Sequence, residues 1–94
     1  MARAGQVVAR RMTPGKPNHV RHIKELKWQP SDGPLMWSSR AEMVSRVRSN
    51  PHTFFVEGGG MTAWLYVVDE GSDSWVETMP DKTKADNLLY LPEE

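Results

Sequence analysis

The sequence predicts an α+β domain in which one helix packs on a small antiparallel sheet of about five strands, in the order β-β-α-β-β-β. Three observations lead to this prediction. Short segments rich in β-branched and aromatic residues are separated by turn clusters of Pro and Gly. One segment combines a helix-initiation signal with an apolar stripe at helical spacing. A length of 94 residues suits one hydrophobic core, so residues 1–94 are expected to form a single domain.

Two strands are predicted before the helix. Residues 6–12 form the first, and its arginines are typical of an edge strand that avoids unwanted pairing. The segment TPGKPN then breaks the chain, and residues 20–28 return as an antiparallel second strand. In that strand Ile23 falls out of step with Leu26 and Trp28, so we expect a β-bulge near Lys24.

The single predicted helix begins at a capping box. Ser39 and Glu42 have the S-x-x-E spacing in which each side chain satisfies a backbone amide of the other residue. The helix is expected to run for about eleven residues and to end at Asn50, because the residue before Pro51 is disfavoured in the helical region. Its apolar stripe consists of Ala41, Met43, Val44 and Val47.

Three strands are predicted after the helix, at residues 52–57, 62–68 and 74–79. A hairpin loop of three glycines, Gly58 to Gly60, separates the first two, and the loop DEGSD separates the last two. Residues 62–68 are apolar on both faces, which predicts a central strand. The glycine loop lacks the lysine and the following helix of a phosphate-binding loop.

Charge is distributed unevenly along a chain whose net charge is zero. Residues 1–50 hold ten Lys and Arg against three Asp and Glu, whereas residues 51–94 hold two against nine. We favour the interpretation that the two halves neutralise each other in the fold, and the alternative is a surface for an anionic partner. The candidate interaction surface is on the first hairpin and comprises Arg10, Arg11, Arg21, Lys24, Lys27 and Trp28.

The composition also excludes several classes of protein. The chain has no cysteine, which favours a reducing cytoplasm and excludes disulfides and thiolate metal sites. The first eleven residues lack the apolar run of a signal peptide, so none is expected, and residues 63–68, the longest apolar run, are too short to span a membrane. His19, His22 and His52 are interpreted as structural, because their spacing does not suit one metal ion. No catalytic constellation and no cofactor motif is recognised, and oligomeric state is left open.

The tail, residues 78–94, is expected to close the fold. Its Asp81, Asp86 and Asn87 have the residue types of a hard-cation site but not the spacing of a calcium loop. We favour turns and capping for these side chains, which would direct Leu88 and Leu89 onto the sheet. Residues 1–5, at the other end of the chain, are expected to be disordered.

The same tail carries a family resemblance. It matches the pattern T-x-x-D-G-x-x-x-D-N-L-L-x-L-P at every specified position except Lys82, where the pattern has Gly. The matching residues are Thr78, Asp81, Asp86, Asn87, Leu88, Leu89, Leu91 and Pro92. Through this pattern the chain resembles the bacterial family known as domain of unknown function 3892. Weaker upstream similarities are found at His19, His22, Ile23, Trp37, Phe54 and Val56.

The resemblance implies a small bacterial accessory protein without an established activity or catalytic residues. Together with the residues, it favours a non-enzymatic module that binds another protein. The alternative is a nucleic-acid-associated accessory protein that uses the basic first hairpin, with some exposed aromatic side chains stacking on bases.

Overall fold

The computed structural model describes residues 2–17, 19–58, 61–78 and 87–94. Within these residues the chain is an α+β protein with two three-stranded antiparallel sheets and one α-helix. The strands are β1 (Val7–Met12), β2 (Ile23–Trp28), β3 (Met36–Ser39), β4 (Phe55–Gly58), β5 (Met61–Glu70) and β6 (Asp73–Thr78). The α-helix is α1 (Arg40–Ser49), and short 3₁₀ turns form at Val20–His22 and Asn87–Tyr90.

The predicted α+β class is confirmed, but the prediction of one sheet with about five strands is wrong. The additional strand is β3, which pairs with β2 and places Trp37 opposite Lys27. Sequence patterns missed β3 because it has only four residues and runs directly into α1, so that Ser39 ends the strand and caps the helix. The strands divide into sheets ordered β1-β2-β3 and β4-β5-β6.

The predicted irregularity of β2 is confirmed. Arg11 pairs with Glu25 and Met12 pairs with Ile23, so Lys24 is left without a partner in the ladder. This bulge returns Ile23 to the core face, where it is buried like Leu26 and Trp28, while Lys24 stays exposed. A second register shift lies in β1 between Val7 and Ala9.

The capping box of α1 is confirmed. The amide of Glu42 donates to Ser39 Oγ at 3.2 Å, and the amide of Ser39 donates to Glu42 Oε1 at 3.0 Å. The helix ends at Asn50, as predicted. Its inner face buries Met43, Val44 and Val47, whereas Ala41 of the predicted apolar stripe is exposed.

The second sheet has β5 as its central strand, as the sequence predicts. Ala63 and Leu65 are buried on one face, and Trp64 lies exposed on the other. A two-residue turn joins β5 to β6, with Gly71 at a φ of 61°. Such a positive φ suits glycine, which has no Cβ to clash with the backbone.

The two sheets meet beside Gly5. Its amide donates to the Gln29 carbonyl at 2.8 Å, and its carbonyl accepts from the Phe55 amide at 3.1 Å. Gly5 has a φ of 88°, and a Cβ at this position would collide with the Thr53 carbonyl. Arg3 also bonds to Glu57. Gly5 and Arg3 belong to the segment predicted to be disordered, but in the structure both form hydrogen bonds to residues far along the chain.

One hydrophobic core in the described residues draws side chains from both sheets, from α1 and from the tail. Leu88 is fully buried in it, and Leu89 and Leu91 pack against its edge. Beyond Leu91 the tail lies parallel to β1, where the Arg10 amide donates to the Pro92 carbonyl at 2.9 Å. Thr78 is buried at the end of β6. Asp81 and Asp86 of the signature lie outside the described residues, and so does the side chain of Asn87.

Candidate functional site

Arg10, the first residue of the predicted interaction surface, is buried against the tail. Only 8% of it is exposed. Its Nε donates to the Leu91 carbonyl at 3.1 Å, and its Nη1 lies 3.7 Å from a carboxylate oxygen of Glu93. Its backbone binds the tail as well, through Pro92 and Glu94. Arg10 therefore contacts the protein's own C-terminal segment instead of the solvent.

Trp28, the aromatic member of that predicted surface, is also only 8% exposed. Its indole Nε1 donates to Ser38 Oγ at 2.9 Å, which satisfies the one polar atom of the ring. Phe54 packs edge-on to the indole with 5.0 Å between ring centroids, and the Arg46 guanidinium lies 5.1 Å from it. The side chain fills the core and presents no open face to a base.

Arg11 and Lys27 form a small cluster around Trp37. The Arg11 guanidinium lies 4.0 Å from the centroid of the indole, and the Lys27 ammonium lies 5.7 Å from it. Each cation also has a carboxylate partner, Glu25 at 3.2 Å for Arg11 and Glu94 at 3.3 Å for Lys27. These charges are therefore locally compensated.

The remaining two residues, Arg21 and Lys24, line a cleft of about 540 Å³ between the segment that follows β1 and the first turn of α1. We name this feature the basic cleft. Its charged and titratable lining residues are Lys16, Arg21, His22, Lys24, Arg40 and Asp73. The structure thus separates the predicted interaction residues into two buried ones, two that pair around Trp37, and two in the cleft.

Two arginines of the basic cleft share one carboxylate. Arg40 Nη2 donates to Asp73 Oδ1 at 3.1 Å, and Arg21 Nη2 lies 4.0 Å from Asp73 Oδ2. Arg40 also donates to the Arg21 carbonyl. The Arg21 guanidinium lies over the indole of Trp75 at 4.9 Å and within 3.8 Å of Glu70. These contacts hold both guanidinium groups at the wall of the cleft.

The histidines of the first half have structural contacts. His19 Nδ1 accepts a hydrogen bond from the Arg21 amide at 3.1 Å and caps the 3₁₀ turn. His22 Nδ1 lies 3.1 Å from the Pro17 carbonyl, and since a carbonyl only accepts, the proton must be on Nδ1. Among the described residues, no group of three or more His, Asp or Glu side chains is arranged to hold a metal ion.

A second surface feature lies where α1 ends against β5, and sequence reasoning did not predict it. This aromatic groove of about 290 Å³ is lined mainly by apolar and aromatic side chains. Its lining comprises Val47, Arg48, Pro51, His52, Trp64, Leu65, Tyr66 and Val67. The sequence did indicate that Trp64 is exposed. Side chains alternate along a strand, so Trp64 shares a face with the polar Thr62, and the opposite face is the buried one.

The Trp64 ring contacts one neighbour on β4 and another in the turn after α1. Phe55 of β4 packs edge-on at 5.4 Å between centroids, and His52 packs edge-on at 6.0 Å. Even so, Trp64 is 36% exposed. His52, which lines the groove, has a φ of 57°. This is the left-handed backbone conformation, which is uncommon in residues other than glycine.

An ion pair flanks the groove. Arg48 forms two hydrogen bonds to the Asp69 carboxylate, and Ser74 Oγ donates to it at 2.5 Å. The hydrogen bonds from Arg48, followed by the one from Ser74, lower the pKa of Asp69 below its ordinary value. The bond to Asp69 raises the pKa of Arg48. Both groups stay charged at neutral pH, so the pair compensates its own charge.

The ion pairs connect the basic first half of the sequence with its acidic second half. Throughout the described part of the chain, all ion pairs but the one between Arg11 and Glu25 join a cation of residues 1–50 to a carboxylate of residues 51–94. This agrees with the favoured interpretation, in which the two halves neutralise each other. The described chain contains no helix of the length and apolar character that a membrane crossing requires.

Comparison with known proteins adds no further constraint on the site. The chain matches no protein-family model, no curated protein and no solved structure. The resemblance to the domain of unknown function 3892 family therefore stays a prediction based on the tail residues.

Proposed function

We propose that this chain is a non-enzymatic, cytoplasmic interaction module that binds a partner protein through the aromatic groove. The observation that supports the proposal most is Trp64, a tryptophan that is 36% exposed in a groove of about 290 Å³. Tryptophan is enriched among the few residues that provide most of the binding energy in protein interfaces. A concave site around such a side chain suits an interface anchor.

The groove is built mainly on rigid elements. Trp64 lies on the central strand of its sheet, and Val47 lies in the last turn of α1. The edge-on contacts with Phe55 and His52 restrict the indole ring before any partner arrives. A restricted side chain loses less conformational entropy on binding, which favours affinity.

The lining indicates the chemistry of the partner. Val47, Pro51 and Val67 give the groove an apolar surface beside the indole. The charges of Arg48 and Asp69 compensate each other, so they give no preference for a charged ligand. The partner is therefore expected to insert an apolar side chain, with affinity from burial of apolar surface.

The alternative proposal, nucleic-acid binding through the first hairpin, has less support. Arg10 and Trp28 are buried, and the charges of Arg11 and Lys27 are compensated by Glu25 and Glu94. A nucleic-acid interface needs cations that are open to phosphate groups. We therefore rank the partner-protein proposal first.

The proposal is tested by capture of partner proteins from a native lysate with three baits: the unmodified chain, Trp64→Ala and Tyr90→Ala. Tyr90 is the matched control, since it is an aromatic residue with 76% exposure that is not part of the groove lining. We expect one protein to be retained by the unmodified chain and by Tyr90→Ala and to be lost with Trp64→Ala. With that protein purified, Trp64→Ala should raise Kd at least tenfold, as for an interface anchor.

A partner that all three baits retain equally, with the same Kd, would contradict the proposal. Circular dichroism and thermal unfolding of Trp64→Ala provide the folding control. Should Trp64→Ala be unfolded, Trp64→Phe replaces it, because Phe keeps an aromatic ring in the groove but has less contact area and no indole N–H. We expect Trp64→Phe to fold and to bind the partner more weakly than the unmodified chain.

A further inference from the structure

We propose that the basic cleft is a binding site for a phosphate-bearing anion. Nothing in this proposal depends on the aromatic groove, which lies elsewhere on the surface. The cleft has an excess of positive charge, its arginines are held in place, and its volume suits a small ligand.

Two lysines of the basic cleft have no carboxylate partner among the described residues. Among the lysines that the structure describes, Lys27 has a carboxylate partner, whereas Lys16 and Lys24 have none. Both of the unpartnered lysines line the basic cleft. Two cations without a carboxylate partner at one concave site of the described chain mark a place for an external anion.

The two arginines of the cleft are held in place by neighbouring groups. Arg21 and Arg40 are fixed by Asp73, by the Arg21 carbonyl and by the face of Trp75. Asp73 removes one of the positive charges but also sets the direction of both guanidinium groups. Because a guanidinium has five N–H donors, each of these arginines retains donors beyond the bonds it makes here. Glu70 also lies 3.8 Å from Arg21, so four cations face two carboxylates and the cleft keeps a surplus of two positive charges.

The arrangement of the cations indicates which kind of anion the cleft suits. The cations come from separate segments, with Lys16 and Arg21 before β2, Lys24 on β2 and Arg40 at the start of α1. Cations that surround a volume in this way suit an anion with several oxygens and more than one charge, and the guanidinium fork suits phosphate. The volume of about 540 Å³ lies within the range of small-molecule sites and can hold a group larger than inorganic phosphate.

The test uses pyrophosphate as the probe, titrated into the full chain at low ionic strength and followed by isothermal calorimetry and by amide chemical shifts. The variants are Lys24→Met and Lys27→Met. These two lysines lie on the same strand, but Lys27 is paired with Glu94 and lies outside the cleft. We expect Lys24→Met to weaken pyrophosphate binding about three- to tenfold, and Lys27→Met to leave it unchanged.

A parallel titration with a single-stranded oligonucleotide distinguishes the source of the phosphate. Tighter binding of the oligonucleotide per phosphate, with the same sensitivity to Lys24→Met, assigns the site to a nucleic-acid backbone. Tighter binding of pyrophosphate assigns it to a small phosphorylated molecule. No binding of either probe at low salt, or equal weakening by Lys24→Met and Lys27→Met, would overturn the proposal.

Discussion

The tail side of β1 and the basic cleft use the same kinds of charged residue in opposite ways. The tail side comprises Arg10, Leu88, Leu91, Pro92 and Glu93. There the arginine is buried, and main-chain hydrogen bonds fix it to the tail. In the cleft, the arginines are partly exposed and share Asp73, Glu70 lies near Arg21, and the cations outnumber these two carboxylates. The difference teaches that burial and backbone contacts make an arginine structural, whereas solvent exposure and surplus charge leave it available for a ligand.

The largest effect is expected on the tail side, at Leu88. Replacement of Leu88 by Ala removes a fully buried side chain and should lower the free energy of unfolding by about 2–5 kcal/mol. Urea denaturation measures this change. Tyr90→Ala, in the same 3₁₀ turn but exposed, should change stability by less than about 0.5 kcal/mol. Equal stability of Leu88→Ala and the unmodified chain would show that the tail does not hold the fold closed.

A smaller effect is expected at Arg10. Arg10→Ala leaves the Leu91 carbonyl without its donor and removes buried contacts, which should cost about 1–3 kcal/mol in the free energy of unfolding. The matched control is Arg11→Ala, which removes a partly exposed arginine together with its ion pair and its contact with the Trp37 ring, and should cost about 1 kcal/mol. If thermal unfolding gave the same loss for both variants, the distinction between a buried and a solvated arginine would fail.

The smallest effect is expected at the cleft side, where Glu42 caps α1 through Ser39. The hydrogen bond from the Ser39 backbone, followed by the one from its hydroxyl, lowers the pKa of Glu42 below its ordinary value. A depressed pKa means that this carboxylate stabilises the folded state above the unfolded-state pKa. The contribution disappears as the pH falls through the folded-state pKa.

Glu42→Gln should therefore be slightly less stable than the unmodified chain near about pH 7 and should equal it near about pH 2. Urea denaturation at both pH values measures the difference. The full exposure of Glu42 keeps the effect small. A stability gap that is unchanged in acid would mean that the charge of Glu42 does not act on the helix.

The features that could be predicted from sequence are local ones. The capping box depends on Ser39 and Glu42 three positions apart, and the bulge at Lys24 depends on the alternation within one strand. Which arginine of β1 would be buried was not predictable. The register shift between Val7 and Ala9 places Arg10 opposite the buried Leu26, where regular pairing from Val7 would have placed Ala9.

The candidate sites could be predicted only in part. The sequence places Arg21 and Lys24 on one predicted hairpin, but their neighbours Arg40 and Asp73 come from distant parts of the chain and meet them only in the folded protein. The aromatic groove likewise requires the end of α1 to lie against β5. The alternation along β5 predicts on which face Trp64 lies. It does not predict that Pro51 and His52 lie beside Trp64 and complete the groove.

The outer edge of β1 has a consequence for the order of folding. Its neighbours there, Phe55 beside Gln6 and Glu93 beside Arg10, both run parallel to it and both come from far downstream. Contacts between residues so distant in sequence require large loops to close first, and this slows folding. The antiparallel hairpin of β1 and β2 forms locally, so we expect it to appear early with one unpaired edge. Completion of that edge is then the late step, and before it the exposed edge is where chains would associate with one another.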